Sequence, residues 1–167
     1  VTFTPQDLAG IAPGAQAGLL LRVQVTYVDG GGTLETLFSA PTAPVGLNWA
    51  NIANTNNITF TGNAGDDIAN GGSAIDILNG NAGNDNLDGN VGNDVITGGA
   101  GNDIVDGDGG TADIAVYAGA ATNFGVSSGA IAGSFTVSDG TGVEGIDSVS
   151  GVETLRFNGV NYEVVNG

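Results

Sequence analysis

Through the middle of the chain an apolar residue returns every nine positions: Phe60, Ala69, Leu78, Leu87, Ile96, Val105 and Ile114. Each is flanked by positions free to face water, and a glycine-rich stretch separates it from the next. This pattern predicts strands of about three residues whose central side chain points inward. Two nonapeptides make one coil of 18 residues, so successive loops fall on opposite edges. The inward residues of the two facing sheets then meet as a narrow dry core.

The flanks follow a different rhythm. Leu21, Val23, Val25 and Tyr27 alternate with Arg22, Gln24, Thr26 and Val28, the period of a half-buried strand. Asp29-Gly30-Gly31-Gly32 supplies a reversal, and Thr33 to Phe38 reads as the returning strand. Pro41 and Pro44 end that unit, because proline cannot donate to a continuing ladder. Residues 47–57, rich in Asn and Ala, read as a linker. After the repeats, Phe135-Thr136-Val137, Thr154 to Phe157 and Tyr162 to Val165 are candidate strands, placed to cover the last exposed rung. The expected fold is all-β, a parallel β-roll (β-solenoid) over 58–117, with a β segment at 1–46 and a C-terminal β cap at 118–167.

Aligned by their glycines, the copies are GNAGDDIAN (62–70), GGSAIDILN (71–79), GNAGNDNLD (80–88), GNVGNDVIT (89–97) and GGAGNDIVD (98–106), with a degenerate one from Gly107. Aspartate fills the sixth position each time: Asp67, Asp76, Asp85, Asp94 and Asp103. With coils of 18 residues, Asp67, Asp85 and Asp103 line one edge and Asp76 and Asp94 the other. Stacked loops lie about 4.8 Å apart, close enough for one ion to touch both. Ala112 stands in the next aspartate slot with Asp113 displaced by one, which leaves that site open, and Asp147 stands in a solitary partial repeat.

Composition narrows the chemistry. Acidic residues number 18 against two basic ones, for a net charge of −16. Nucleic acid and anionic membrane surfaces need a basic patch and are excluded as partners. The chain has no Cys and no His, and its two basic residues are both Arg, so thiolate or imidazole metal sites, Ser/His or Cys/His catalysis and Schiff-base chemistry are all absent. No apolar run is long enough for a membrane span. No catalytic residue is expected, and an enzyme such as a polysaccharide lyase would need a basic residue that the roll lacks.

Calcium suits the repeats because it accepts six to eight oxygen ligands in a flexible geometry. Carboxylates from stacked loops can supply them together with carbonyls exposed by Gly62, Gly65, Gly71, Gly80, Gly83, Gly89, Gly92, Gly98 and Gly101. Asn63, Asn81 and Asn90 replace the second glycine and tolerate a left-handed backbone; Ala74 replaces a fourth-position glycine and strains the analogy there. Residues 62–113 hold ten acidic side chains and no basic one. About three to five calcium ions would cancel most of that charge, so folding is expected to depend on them.

The repeats resemble those of the RTX (hemolysin-type calcium-binding repeat) family. Ala112 to Tyr117, Gly145 to Val149 and Gly151 to Phe157 resemble the region that follows the repeats in many such proteins. The resemblance implies secretion through a type I channel, an extracellular location, a role as a calcium-driven folding and export module, and ligation by Asp67, Asp76, Asp85, Asp94 and Asp103. Phe3 to Asp7 and Leu21 to Ser39 resemble the closing strands of a bacterial immunoglobulin-like module, which implies a chain that begins inside a domain. A short β lead-in packed on the roll is the other reading of 1–46. A rival function is a calcium-dependent structural subunit of a surface layer, adhesin or matrix. Ile77 and Val95 on one face and Ile68 and Ile104 on the other would there meet neighbouring domains or a second copy.

Overall fold

A computed structural model of the chain describes the backbone of residues 24–28, 34–38, 46 and 48–49, together with residues 56–131 and 133–164. Strands β1 (Gln24–Val28) and β2 (Leu34–Phe38) form an antiparallel pair in which Gln24 faces Phe38 and Val28 faces Leu34. The alternating segments on either side of the glycine run thus pair as the sequence predicts. Most of 1–46, Phe3 to Asp7 included, lies outside the described residues.

The repeats wind into two parallel sheets. One stacks β3 (Asn48–Trp49), β5 (Ile68–Gly72), β7 (Asn86–Asn90) and β9 (Ile104–Asp106). The other stacks β4 (Thr59–Thr61), β6 (Ile77–Ala82), β8 (Val95–Ala100) and β10 (Ile114–Tyr117). Ile68 lies on Asn86 and Asn86 on Ile104; Ile77 lies on Val95. Each step is one coil of two nonapeptides. Asn48 and Trp49 pair with Ile68 and Ala69, so part of the expected 47–57 linker is already a rung.

Phe60, Ala69, Leu78, Leu87, Ile96 and Val105 are all buried between the sheets. Burying each of the larger side chains contributes about 1.5–3 kcal/mol, and the single-file spine leaves no second layer to compensate for a missing rung. The seventh rung differs from expectation. Ala115, not Ile114, pairs with Ile96 and is buried. The cause is one extra residue, Ala112: the Thr111 N–H reaches Asn93 Oδ1 eighteen positions back, but the Asp94 N–H reaches Asp113 Oδ1 nineteen positions on. A one-residue slip moves a strand's side chains to opposite faces, so Ile114 turns outward beside Val95.

The roll also runs past Tyr117, where the sequence placed its end. The chain leaves at residue 118, forms a turn of 3₁₀ helix at Ala121–Asn123 and an antiparallel pair, β11 (Phe124–Ser128) and β12 (Ser134–Asp139). It then returns as β13 (Ile146–Ser150), parallel to β9, and β14 (Thr154–Phe157), parallel to β10. Val149 and Leu155 continue the spine. β12 joins β13 and β15 (Val160–Glu163) joins β14, both antiparallel, so each sheet ends in strands running against the roll. Between them Tyr117, Phe124, Phe157 and Tyr162 form a chain of rings with neighbouring centroids 4.9–5.7 Å apart.

Candidate metal centre

Each loop ends with its aspartate turned into the roll. Asp67, Asp76, Asp85, Asp94 and Asp103 are at most 2% exposed, and so are Asp113 and Asp147. From Asp76 onward the loop carrying each aspartate stacks on the loop one coil earlier, and one carboxylate oxygen accepts a backbone N–H from it. Along the first edge the Asp67 N–H donates to Asp85 Oδ1 at 2.7 Å, the Asp85 N–H to Asp103 Oδ1 at 2.8 Å and the Asp103 N–H to Asp147 Oδ1 at 2.9 Å. Along the second, the Ile58 N–H donates to Asp76, Asp76 to Asp94, Asp94 to Asp113 and Asp113 to Glu153 Oε2, at 2.6–2.8 Å. The sequence-derived edges are therefore brought together in the expected pairs.

Three acidic residues that spacing leaves open or omits also stand in these rows. Asp113 fills its slot once Ala112 is looped out, and Asp147 is placed by the returning strand β13. Glu153 stands in a shortened loop, where its extra methylene lets an exposed residue reach the Asp113 N–H.

The other oxygen of each carboxylate decides what the rows can hold. Oδ2 of Asp76, Asp85, Asp94, Asp103 and Asp113 is buried and has no hydrogen-bond partner. Asp67 differs, because its Oδ2 accepts the Asn63 N–H at 2.7 Å. The first-position glycines make room for this oxygen: a Cβ at Gly62, Gly71, Gly80, Gly89 or Gly98 would lie 2.0–2.6 Å from Oδ2 of that loop's own aspartate. Only a hydrogen fits there. Higher in the loop, a Cβ at Gly83, Gly92 or Gly101 would meet the carbonyl of Gly65, Ala74 or Gly83 one coil earlier. Ala74 sits at the start of that edge and leaves Asp76 in its row. Of the three asparagines in the second position, Asn81 and Asn90 take φ of 73° and 64°; Asn63 does not take a positive φ and instead donates to Asp67.

Five of the row carboxylates, Asp85, Asp94, Asp103, Asp113 and Asp147, resist ionising without a cation. Burial pushes Asp85 and Asp94 up to about 6, against the backbone N–H each accepts, with neighbouring aspartates adding to the rise. Burial also raises Asp103 and Asp113, and takes Asp147 up to about 7. Two unit charges one strand spacing apart repel by on the order of 3 kcal/mol at an effective dielectric near 20. Arg156 is turned to Asn161 on the second sheet, at 2.8 Å. Among the described residues no three acidic side chains converge on one point. The available donor set is therefore pairs of carboxylates one coil apart plus loop carbonyls. All of these are hard oxygens, and the unsatisfied Oδ2 atoms fit calcium rather than a softer metal. When bound, the ion would supply the positive charge these loops lack.

A family model described as the RTX calcium-binding nonapeptide repeat (4 copies) matches residues 61–96 and 79–112. No curated protein matches the chain. Among the described residues no helix is long and apolar enough to cross a membrane. Asp67, Asp76, Asp85, Asp94 and Asp103 of the two buried rows all lie within the matched residues, and residues 61–112 of the chain are RTX-type calcium-binding repeats.

Proposed function

We propose that this chain is the calcium-binding module of a secreted bacterial protein, which folds when it meets calcium outside the cell and supports export through a type I channel. The observation that carries this reading is the set of buried Oδ2 atoms with no partner. A loop stack that leaves these charges unsatisfied is costly to close, and a divalent cation removes that cost. Extracellular modules bind calcium with dissociation constants of roughly 10⁻⁴ to 10⁻³ M, which would leave the chain open in a calcium-poor cytosol and closed outside. Catalysis, on this reading, belongs to other parts of a larger protein. The test is circular dichroism during a calcium titration from excess chelator. The β signal should grow with calcium, and an unchanged spectrum throughout refutes the proposal. Export is tested by appending the chain to a passenger in cells with a type I exporter and measuring the passenger outside.

A calcium-dependent structural subunit of a surface assembly is the second reading. It is favoured by Ile68 and Ile104 exposed on one sheet and Ile77 on the other, each at least 40% accessible. Sedimentation in calcium at high protein concentration separates the two, since a strict monomer excludes self-assembly.

A further inference from the structure

One whole face of this acidic chain carries no carboxylate. Strands β4, β6, β8, β10 and β14 of the second sheet contain no acidic residue, although the chain has a net charge of −16. Their inward residues, Phe60, Leu78, Ile96, Ala115 and Leu155, are buried, so the residues on either side of each point outward. One outward row runs Thr59, Ile77, Val95, Ile114, Thr154, each the register partner of the next. Threonine, isoleucine, valine, isoleucine, threonine reads the same from either end. A second row holds Thr61, Asn79, Thr97, Val116 and last Arg156, the only basic side chain among the described residues.

The first sheet offers no such surface. Asp88 and Asp106 are register partners on its outer face. The turn between β11 and β12 also stands over that face, where Ala130 and Ile131 wall one cavity with Ile104. Two copies meeting there would set four carboxylates against one another.

We infer that the outer face of the second sheet is a self-complementary docking surface for a second copy of this chain, with the two-fold axis passing by Val95. The inference rests on the structural-subunit reading and assigns the face it would use. An axis parallel to the strands turns the row end for end, so that Val95 meets Val95 of the second copy, Ile77 meets its Ile114 and Thr59 its Thr154. A two-fold contact needs a patch that complements itself in this way. The same rotation brings Arg156 over Thr61 of the second copy, where the strand enters the loop carrying its exposed Asp66, so a cation faces an acid at each end of the contact. Glu163, the register partner of Thr154 on β15, falls beyond Thr59 of the other copy and outside the contact. Five strands about 4.8 Å apart make a face of about 24 Å by 10 Å. Two such faces bury on the order of 500 Å², at the low end of protein contacts, so the dimer is reversible and forms only at high concentration.

The test uses the full chain in saturating calcium, by sedimentation equilibrium up to about 10⁻³ M protein, with circular dichroism to confirm that each variant folds. Wild type should show a monomer–dimer equilibrium. Val95→Asp sets two new carboxylates face to face on the axis and should weaken it at least about tenfold. Asn86→Asp adds the same charge to the outer face of the first sheet and should leave it within about twofold. The chain has no Cys, so single cysteines report the geometry. With a short bis-thiol crosslinker Val95→Cys should give a covalent dimer, while Thr59→Cys, about 19 Å along the stack from its counterpart, should not. A strict monomer throughout overturns the structural-subunit reading and this face together. Association that Val95→Asp leaves unchanged, or that Asn86→Asp weakens equally, overturns the face alone. If Val95→Asp fails to fold, crosslinking decides, and a yield in Val95→Cys no higher than in Thr59→Cys overturns the two-fold arrangement.

Discussion

The Asp76 N–H donates to Asp94 Oδ1 at 2.7 Å, while Oδ2 of the same Asp94 carboxylate is buried without a donor. One oxygen thus holds two coils together and the other waits for a cation. Replacing Asp94 by Asn separates these tasks, because an amide oxygen can still accept the Asp76 N–H but carries no charge. Loss of a charged ligand worth about 1.5–3 kcal/mol should raise the calcium midpoint of folding about tenfold to a hundredfold. In chelator the same variant should be no less folded than wild type, since a repelling charge has gone. A midpoint unmoved in Asp94→Asn, read by circular dichroism, contradicts this account.

Glycine at the first loop position is needed for space rather than for an unusual backbone. At Gly80 a Cβ would lie 2.0 Å from Asp85 Oδ2 and 2.6 Å from the Gly98 carbonyl, and neither can retreat inside a stack. Gly80→Ala should destabilise the calcium-loaded roll by about 3 kcal/mol, at the upper end of overpacking costs. Gly125 in β11 has nothing within 4 Å of its Cβ position, so Gly125→Ala should change stability by less than about 0.5 kcal/mol. Thermal melts in saturating calcium compare the two.

The spine makes a sharper claim about register. Leu87 is fully buried between single layers, and Leu87→Ala should cost about 2–5 kcal/mol. Ile114 belongs to the same nine-residue series in the sequence but turns outward, so Ile114→Ala should cost less than about 1 kcal/mol. Equal losses in denaturant unfolding would mean that Ile114, not Ala115, faces inward.

That contrast marks what spacing along the chain can reveal. Between Phe60 and Val105 strict phase carries both the aspartate rows and the spine, so coil length, edges and core are legible from side-chain type alone. A single added residue, Ala112, breaks the phase without breaking the stack. Counting from the sequence alone therefore put Ile114 on the spine and left Asp113 in doubt. The returning copy keeps Gly142, Gly145, Asp147 and Val149 of the pattern, and its distance from Asp103 is set by an excursion whose folding no local signal announces. Asn48 and Trp49 were hidden for another reason: two residues are too few to show any period.

Ahead of the returning loop, Asp139 offers a test by pH. Its carboxylate accepts from the Thr141 N–H at 2.8 Å and hydroxyl at 2.6 Å, and from the Val143 and Glu144 N–H groups at 2.9 and 3.1 Å. These bonds, the Thr141 hydroxyl first, lower it from 3.8 to about 2. Because the folded value lies below the ordinary one, whatever this carboxylate adds to the turn is complete above pH 4 and is lost as pH falls through about 2. An NMR titration of the Asp139 carboxyl carbon should show its midpoint near 2, and Asp139→Asn should speed amide exchange at Val143 and Glu144 at neutral pH. A midpoint at the ordinary 3.8 would show the turn open in solution. Glu144 would then lose the anchor that sets it beside the Ala118 N–H, where the excursion leaves the roll.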